Sequence, residues 1–584
     1  MRRFVVGCLA MIGGLGLFVL AGLVVLAVVL VRLAPGRPAL PAAMILELDL
    51  TRDLAEGPGE DSLSRLVFGA KGNLRDLVDA LDRAGDDPRV KGVYARLGDD
   101  AIGLAKVQQV RDALRAFRDK GKFAVAFADT FGELGPGTRP YYLATAFDEI
   151  WLQPQGTVGL TGLYTETPFA RELLDRLGIA PRFSRRSEYK TVMNSLTDKA
   201  MPAPQREELD ALLASLDGQI VRDIAAARRL PQDTLRGLVD RGPLLAEEAL
   251  KAHLVDRLGY RDEAIAAARR RAGPAARLVG AARYLDGAGR PHQSGAEIAL
   301  IYGTGLITRS GTGAGLFGAE GLNARKVAAA FRAAAGDKAV RAIVFRIDSP
   351  GGSAVASETL WREVARARER GKPVIVSMGD VAASGGYYIA APADKIVAEP
   401  ATLTGSIGVV AGKIVLSGLL QKLGVAVEPV ARGANAGMFS AVEDFSPQQQ
   451  RRLDALLDAT YAGFKAHVAA GRHLDAGAVE ALAKGRVWSG EQAKANGLVD
   501  ALGGYREAVA LAREAAHIPA GAPYRLVVFP HRKGALEELY DRVFGRDEDG
   551  GGGRLAALAA LLARFDAVAA APGTVEMPAL GEVR

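Results

Sequence analysis

Two short segments carry residues whose types and spacing suit acyl-transfer chemistry. The first is Asp348-Ser349-Pro350-Gly351-Gly352-Ser353, directly after an apolar run that reads as a strand. Adjacent glycines let a backbone turn sharply and expose its N–H groups, which can hold a developing oxyanion. The second is Ala382-Ala383-Ser384-Gly385-Gly386-Tyr387-Tyr388. It sets Ser384 between a strand and a helical run, with small neighbours that leave the hydroxyl open to approach. One Gly-Gly pair signifies no more than a turn. Two such segments in one strand–helix–strand unit point to Ser384 as a nucleophile, with the amides of Gly352 and Gly385 as its oxyanion hole. Asp348 and Asp380 read as turn or capping residues.

These segments belong to a wider motif set. With Leu403-Thr404-Gly405-Ser406-Ile407-Gly408, Val487-Trp488-Ser489-Gly490 and the run Ala493 to Asp500, they resemble the long, duplicated bacterial signal peptide peptidases, the protease IV type, over residues 40–530. The resemblance implies a ClpP/crotonase-like fold, an inner-membrane anchor and a Ser/Lys dyad. It also implies a ring-like homo-oligomer, a tetramer, around an apolar chamber that takes released signal peptides and other apolar peptides. By it Ser384 is the nucleophile, and Glu188-Tyr189-Lys190-Thr191 supplies Lys190 as general base. A lysine acts as base only when neutral, so its pKa must fall by several units from about 10.4, which burial between two domains would achieve. Ser406 keeps two readings: a hydroxyl that orients the lysine amine, or a turn serine between Gly405 and Gly408. Lys395 and Lys413 are the alternative bases within the second copy.

The elements that must position these groups occur twice. Val90–Leu97, Gly121–Ala126, Tyr141-Tyr142-Leu143-Ala144 and Leu254-Val255-Asp256 recur in order as Val340–Ile347, Gly371–Val376, Tyr387-Tyr388-Ile389-Ala390 and Leu498-Val499-Asp500. A near-constant interval over some hundreds of residues signals two homologous domains. Ala342–Ile347 and Val374–Ser377 read as buried strands, with a helix over Glu358–Arg370 between them. This alternation means an α/β fold with parallel sheets and crossover helices. The position equivalent to Ser384 in the first copy is Thr138, and its counterpart of the Gly-Gly turn is Asp99-Asp100 or nearby. The second copy has Ala434, Asn435 or Ala436 where the first has Lys190. Each copy lacks what the other retains, so a working site needs both.

The expected organisation is an anchor over 1–38, a first repeat over 40–272, a linker over 273–295, a second repeat over 296–530 and a tail over 531–584. Arg2 and Arg3 precede an apolar stretch from Phe4 to Val31, longer than the roughly 20 residues that cross a bilayer. A retained single-pass anchor with the body outside the cytoplasm is the reading; a signal peptide cut near Pro41-Ala42-Ala43 is the alternative.

Composition excludes other classes. The 584 residues carry 74 basic and 67 acidic side chains, for a net charge of +7 without a dense basic run, which argues against nucleic acid. Cys8 is the only cysteine, so no intrachain disulfide or CxxC site exists. The six histidines lack HExxH or HxH spacing, and no Gly-rich phosphate loop carries its lysine, so neither a metal nor a cofactor is expected. Two other functions compete: a catalytically silent membrane scaffold, and a crotonase-like acyl-CoA enzyme sharing the oxyanion hole.

Overall fold

The computed structural model describes residues 38–57, 72–98, 101–310 and 321–530. The apolar stretch Phe4 to Val31, the pair Asp99-Asp100 and the tail over 531–584 lie outside the described residues. No helix among the described residues is long and apolar enough to cross a membrane.

Two parallel sheets form the frame. The first has the strand order Arg257–Leu258, Glu149–Leu152, Phe123–Ala128, Val90–Leu97, Met44–Asp49, Arg277–Gly280, with every neighbour parallel. The second repeats it as Ala501–Leu502, Lys395–Ala398, Val374–Ala383, Val340–Ser349, Ala296–Thr304, Tyr524–Phe529. It adds Leu403–Gly405 and Val487–Ser489 beside the upper half of Val374–Ala383. Val340, Ile343, Val344, Phe345 and Ile347 are all fully buried, as strands covered on both faces require. The expected strands are parts of longer ones, Ala342–Ile347 the centre of Val340–Ser349 and Val374–Ser377 the start of Val374–Ala383. The expected helix runs over Ala354–Glu369, capped by Ser353 Oγ, which accepts from the Ala356 N–H.

The duplication extends to single hydrogen bonds. Tyr141 Oη donates to Leu254 O at 2.7 Å, and Tyr387 Oη to Leu498 O at 2.9 Å. Asp148 accepts from the Ala124 N–H at 2.7 Å, and Asp394 from the Val374 N–H at 2.8 Å. The copies diverge where chemistry is expected. Val374–Ala383 has 10 residues against 6 in Phe123–Ala128, and the added residues carry the chain to Ser384.

Of residues 273–295, expected as a linker, the part over Arg277–Ala288 is built into the first repeat, and Gln293 bridges to Arg525 of the second. Arg277–Gly280 is an edge strand paired with Met44–Asp49, and helix Ala281–Ala288 buries Tyr284, whose Oη donates to Asp87 Oδ2 at 3.0 Å. Composition misleads there because Gly, Ala and Arg mark linkers and small edge elements alike.

The repeats meet along a polar seam. Strand Ala180–Arg185 of the first pairs antiparallel with Val410–Val415 of the second over six residue pairs. Helix Leu104–Arg118 begins at Gly103, which has no side chain with which to cap it; Asp380 Oδ1 of the second repeat accepts from the Lys106 N–H at 3.1 Å instead. Asp380 is therefore a capping residue for the other repeat's helix. Asp348 Oδ1 accepts from the Val381 N–H at 3.0 Å and ties neighbouring strands together. Deepest in the seam, Arg346 Nε donates to Glu56 Oε2 at 2.7 Å, with both side chains 2% exposed. Its Nη1 donates to Ser377 Oγ and Met378 O, each at 2.8 Å.

Removing one partner of a buried pair strands the other's charge. Glu56→Ala is expected to destabilise the protein by about 3–5 kcal/mol, read as a fall in the denaturant midpoint against the parent chain. An unchanged midpoint would show that this pair does not hold the seam.

Candidate active site

Ser384 sits at the sharp junction between strand Val374–Ala383 and helix Gly385–Ala390, with φ of 54° and ψ of −118°. A non-glycine residue there is strained and must be held. Its N–H donates to Gly405 O at 2.8 Å, and its carbonyl accepts from the Tyr388 N–H at 2.9 Å. Gly351, at φ of 107°, lies against it so closely that an added Cβ would stand 2.8 Å from Ser384 Cβ and 2.7 Å from Gly385 N. The two glycine segments are thus neighbours, and a Cβ on Gly385 would lie 3.2 Å from Gly352 N. Among the described residues, neither the Gly352 nor the Gly385 amide donates a hydrogen bond within the chain. Both remain available to an oxyanion.

Lys190 comes from the first repeat, in the turn after strand Ala180–Arg185, and is 6% exposed. Its Nζ lies 3.0 Å from Ser384 Oγ, 2.9 Å from Ser406 Oγ and 3.0 Å from Ser406 O. A neutral amine has two N–H groups and one lone pair. The geometry suits two donations to Ser406 and one acceptance from the Ser384 hydroxyl. Among the described residues no carboxylate forms an ion pair with it. Burial lowers its pKa to about 8, against a smaller opposing pull from Glu208. Desolvation wins because the ammonium has exchanged water for neutral oxygens.

The structure brings Ser384, Lys190, Ser406, Gly352 and Gly385 together, with Ser406 within hydrogen-bond distance of the lysine amine. The alternative lysines lie elsewhere. Lys395 pairs with Asp500 at 3.9 Å on an exposed edge, and Lys413 Nζ stands over the Phe445 ring at 4.2 Å from its centroid. Thr138 is buried and donates to Gly162 O at 2.9 Å, so its hydroxyl is engaged in structure. Ala434, Asn435 and Ala436 lie exposed.

Sequence reasoning passed over the segment that backs the lysine. Gly485, at φ of 85°, presses on the Lys190 backbone: a Cβ there would sit 2.5 Å from Lys190 N. Its N–H donates to Ile407 O at 2.9 Å, and Arg486 O accepts from the Ser406 N–H at 2.7 Å. A glycine between Lys484 and Arg486 was the available signal, but nothing local ties it to position 190.

A strained serine facing free backbone amides and a desolvated amine, on duplicated α/β domains, is the arrangement of a serine hydrolase. The sequence profile of peptidase family S49 matches residues 116–274 and 366–519, one stretch in each repeat. "Serine protease SPPA, chloroplastic" of Arabidopsis thaliana is 31% identical over 485 residues, covering 81% of this chain and 70% of that protein. "Protease 4" of Salmonella typhi is 33% identical over 495 residues, covering 81% and 78%. "Putative signal peptide peptidase SppA" of Enterococcus faecium is 36% identical over 210 residues, covering 36% and 61%. Among solved structures, a mutant ClpP1 from Listeria monocytogenes matches over 36% of this chain and 94% of its own, at 14% identity and a TM-score of 0.23. The chain belongs to peptidase family S49 and is a serine protease.

Gly485→Ala is expected to push Lys190 away from Ser384 and cut peptide cleavage by about 100-fold while the protein remains folded. Steady-state kinetics with circular dichroism checks this; undiminished turnover would mean the Lys190 backbone is not fixed from that side.

Proposed function

We propose that this protein cleaves released signal peptides and other apolar peptides with Ser384 as nucleophile, Lys190 as general base and Gly352 and Gly385 as oxyanion hole. The observation that carries this is the 3.0 Å approach of Lys190 Nζ to Ser384 Oγ across the seam, with the amine buried. Neutral Lys190 takes the Ser384 proton as Oγ attacks the scissile carbonyl carbon. The carbonyl oxygen becomes an oxyanion facing the Gly352 and Gly385 amides. The C–N bond then breaks, and the ammonium returns its proton to the leaving amine. A water, deprotonated by Lys190, attacks the acyl ester, and Ser384 recovers its proton as the acid leaves. Ser406 holds the amine in line throughout.

The substrate class rests on the signal peptide peptidase among the relatives and on the motifs shared with that group. A bacterial inner-membrane location, with the body outside the cytoplasm, rests on the apolar stretch Phe4 to Val31 behind Arg2 and Arg3. Self-association, as a tetramer by family resemblance, is supported by exposed apolar side chains around the inter-repeat ribbon. Leu173, Leu423, Val427, Val430 and Phe439 are all at least half exposed. The lysine–serine contact favours a protease over a silent scaffold or an acyl-CoA enzyme.

Detergent-solubilised protein incubated with a released signal peptide should give fragments identifiable by mass. Ser384→Ala should abolish them, Lys190→Ala should do nearly the same, and the double variant should be no worse, since the two act as a unit. Wild-type turnover by either single variant would overturn the assignment.

The rate should also rise with pH through about 8, because burial sets the Lys190 pKa there and only the free amine accepts a proton. A kcat/KM profile that is flat between about pH 6 and 9 would contradict a lysine base.

A further inference from the structure

We propose that Glu208 is a positioning residue that ties the first repeat to the backbone seating the dyad and places a carboxylate where it favours the ammonium form of Lys190. The proposal rests on the Ser384–Lys190 reading and adds a third group to it. Glu208 lies in the first turns of helix Ala203–Arg228 and is 4% exposed. Its Oε1 accepts from the Val487 N–H of the second repeat at 2.6 Å. That amide belongs to the segment Gly485–Val487, which also touches the site at two points. Gly485 packs on the Lys190 backbone, and Arg486 O receives the Ser406 N–H. One carboxylate thus fixes the strand that locates the base and the serine orienting it.

A glutamate is an unusual choice for this task. A neutral amide would accept the Val487 N–H equally well, and burying a charge without need is costly. The carboxylate instead adds a negative field beside an amine that must gain and lose a proton. Burial raises the Glu208 pKa to about 7, so it is mainly ionised in the range where Lys190 loses its proton. Its charge favours the ammonium form and offsets part of the desolvation at Lys190.

The charged neighbours on each packed element are few. Arg486, on the second-repeat segment, lowers the Glu208 pKa, and Glu207, on the same helix, raises it. Arg486 Nη1 donates to Glu207 Oε1 at 3.0 Å and Tyr189 Oη to Glu207 Oε2 at 2.9 Å, so Glu207 absorbs both outer partners. Glu208 is left as the carboxylate that acts on the lysine.

The test is the pH profile of kcat/KM for peptide cleavage by the detergent-solubilised full chain, its Glu208→Gln and Glu208→Ala variants, and Lys190→Ala. Glu208→Gln keeps an acceptor for Val487, so its plateau should stay within about threefold of the parent. Its rising limb should move to lower pH by about half a unit or more, because the field holding the proton on Lys190 is gone. Glu208→Ala should show the same shift with a plateau lowered by about tenfold or more. A Glu208→Gln profile that superimposes on the parent overturns the electrostatic role, which loss of packing alone would not move. A Glu208→Ala plateau equal to the parent overturns the positioning role; if that variant fails to fold, the Glu208→Gln limb decides. Full activity in Lys190→Ala would instead overturn the dyad, and the proposal with it, whatever the Glu208 profiles show.

Discussion

A lysine amine gives up its proton near neutral pH only where water cannot stabilise the charged form, and the surroundings of Lys190 exclude water. The amine lies between two domains, 6% exposed, with serine oxygens in place of hydration and no ion pair among the described residues. Desolvation of this one group requires the repeats to be closed against each other at that point. The polar seam, the inter-repeat ribbon and the glycines behind the lysine are all conditions for that closure.

The duplication explains how such a site can be assembled. Two copies of one α/β unit supply two equivalent sheets, whose tyrosine and aspartate contacts remain superimposable in kind. Only the ends of the elements have diverged. The second copy has the longer strand, Val374–Ala383, and small residues around Ser384. The first has Gly137-Thr138-Arg139-Pro140 at that turn and carries Lys190 on a loop leading away from its ribbon strand. Setting Ser384 and Lys190 face to face from different repeats makes the interface part of the candidate active site.

The seam is held by polar contacts of high consequence. Arg346 is buried and satisfied by Glu56, Ser377 and Met378, so the second sheet carries a charge whose direct ion-pair partner comes from the first repeat. Asp380, four residues before Ser384, caps a helix of the first repeat, which couples the strand leading to Ser384 directly to the other domain. Carboxylate oxygens of Glu56, Asp348 and Asp380 lie within 4.8 Å of one another, balanced by Arg346 and Lys106. Such a network is stable only when complete, so partial separation of the repeats is strongly disfavoured.

Most of the candidate site was legible in the chain itself. Ser384, Gly352 and Gly385 announce themselves because a sharp strand–helix turn and free amides need small residues at fixed spacing, and the duplication is written in recurring strand and tyrosine patterns. Lys190 was reached through a motif rather than through physics, since a lysine in a polar loop looks the same whether solvated or buried. What tertiary structure alone decided are the pairings between distant residues: the lysine 194 positions from its serine, Asp380 capping a helix that starts at Gly103, Gly485 behind Lys190, and Glu208 on Val487. Within 273–295, Arg277–Ala288 became an edge strand and a helix for the same reason. A short element of small residues has no periodicity of its own, and only the sheet it joins gives it a structure.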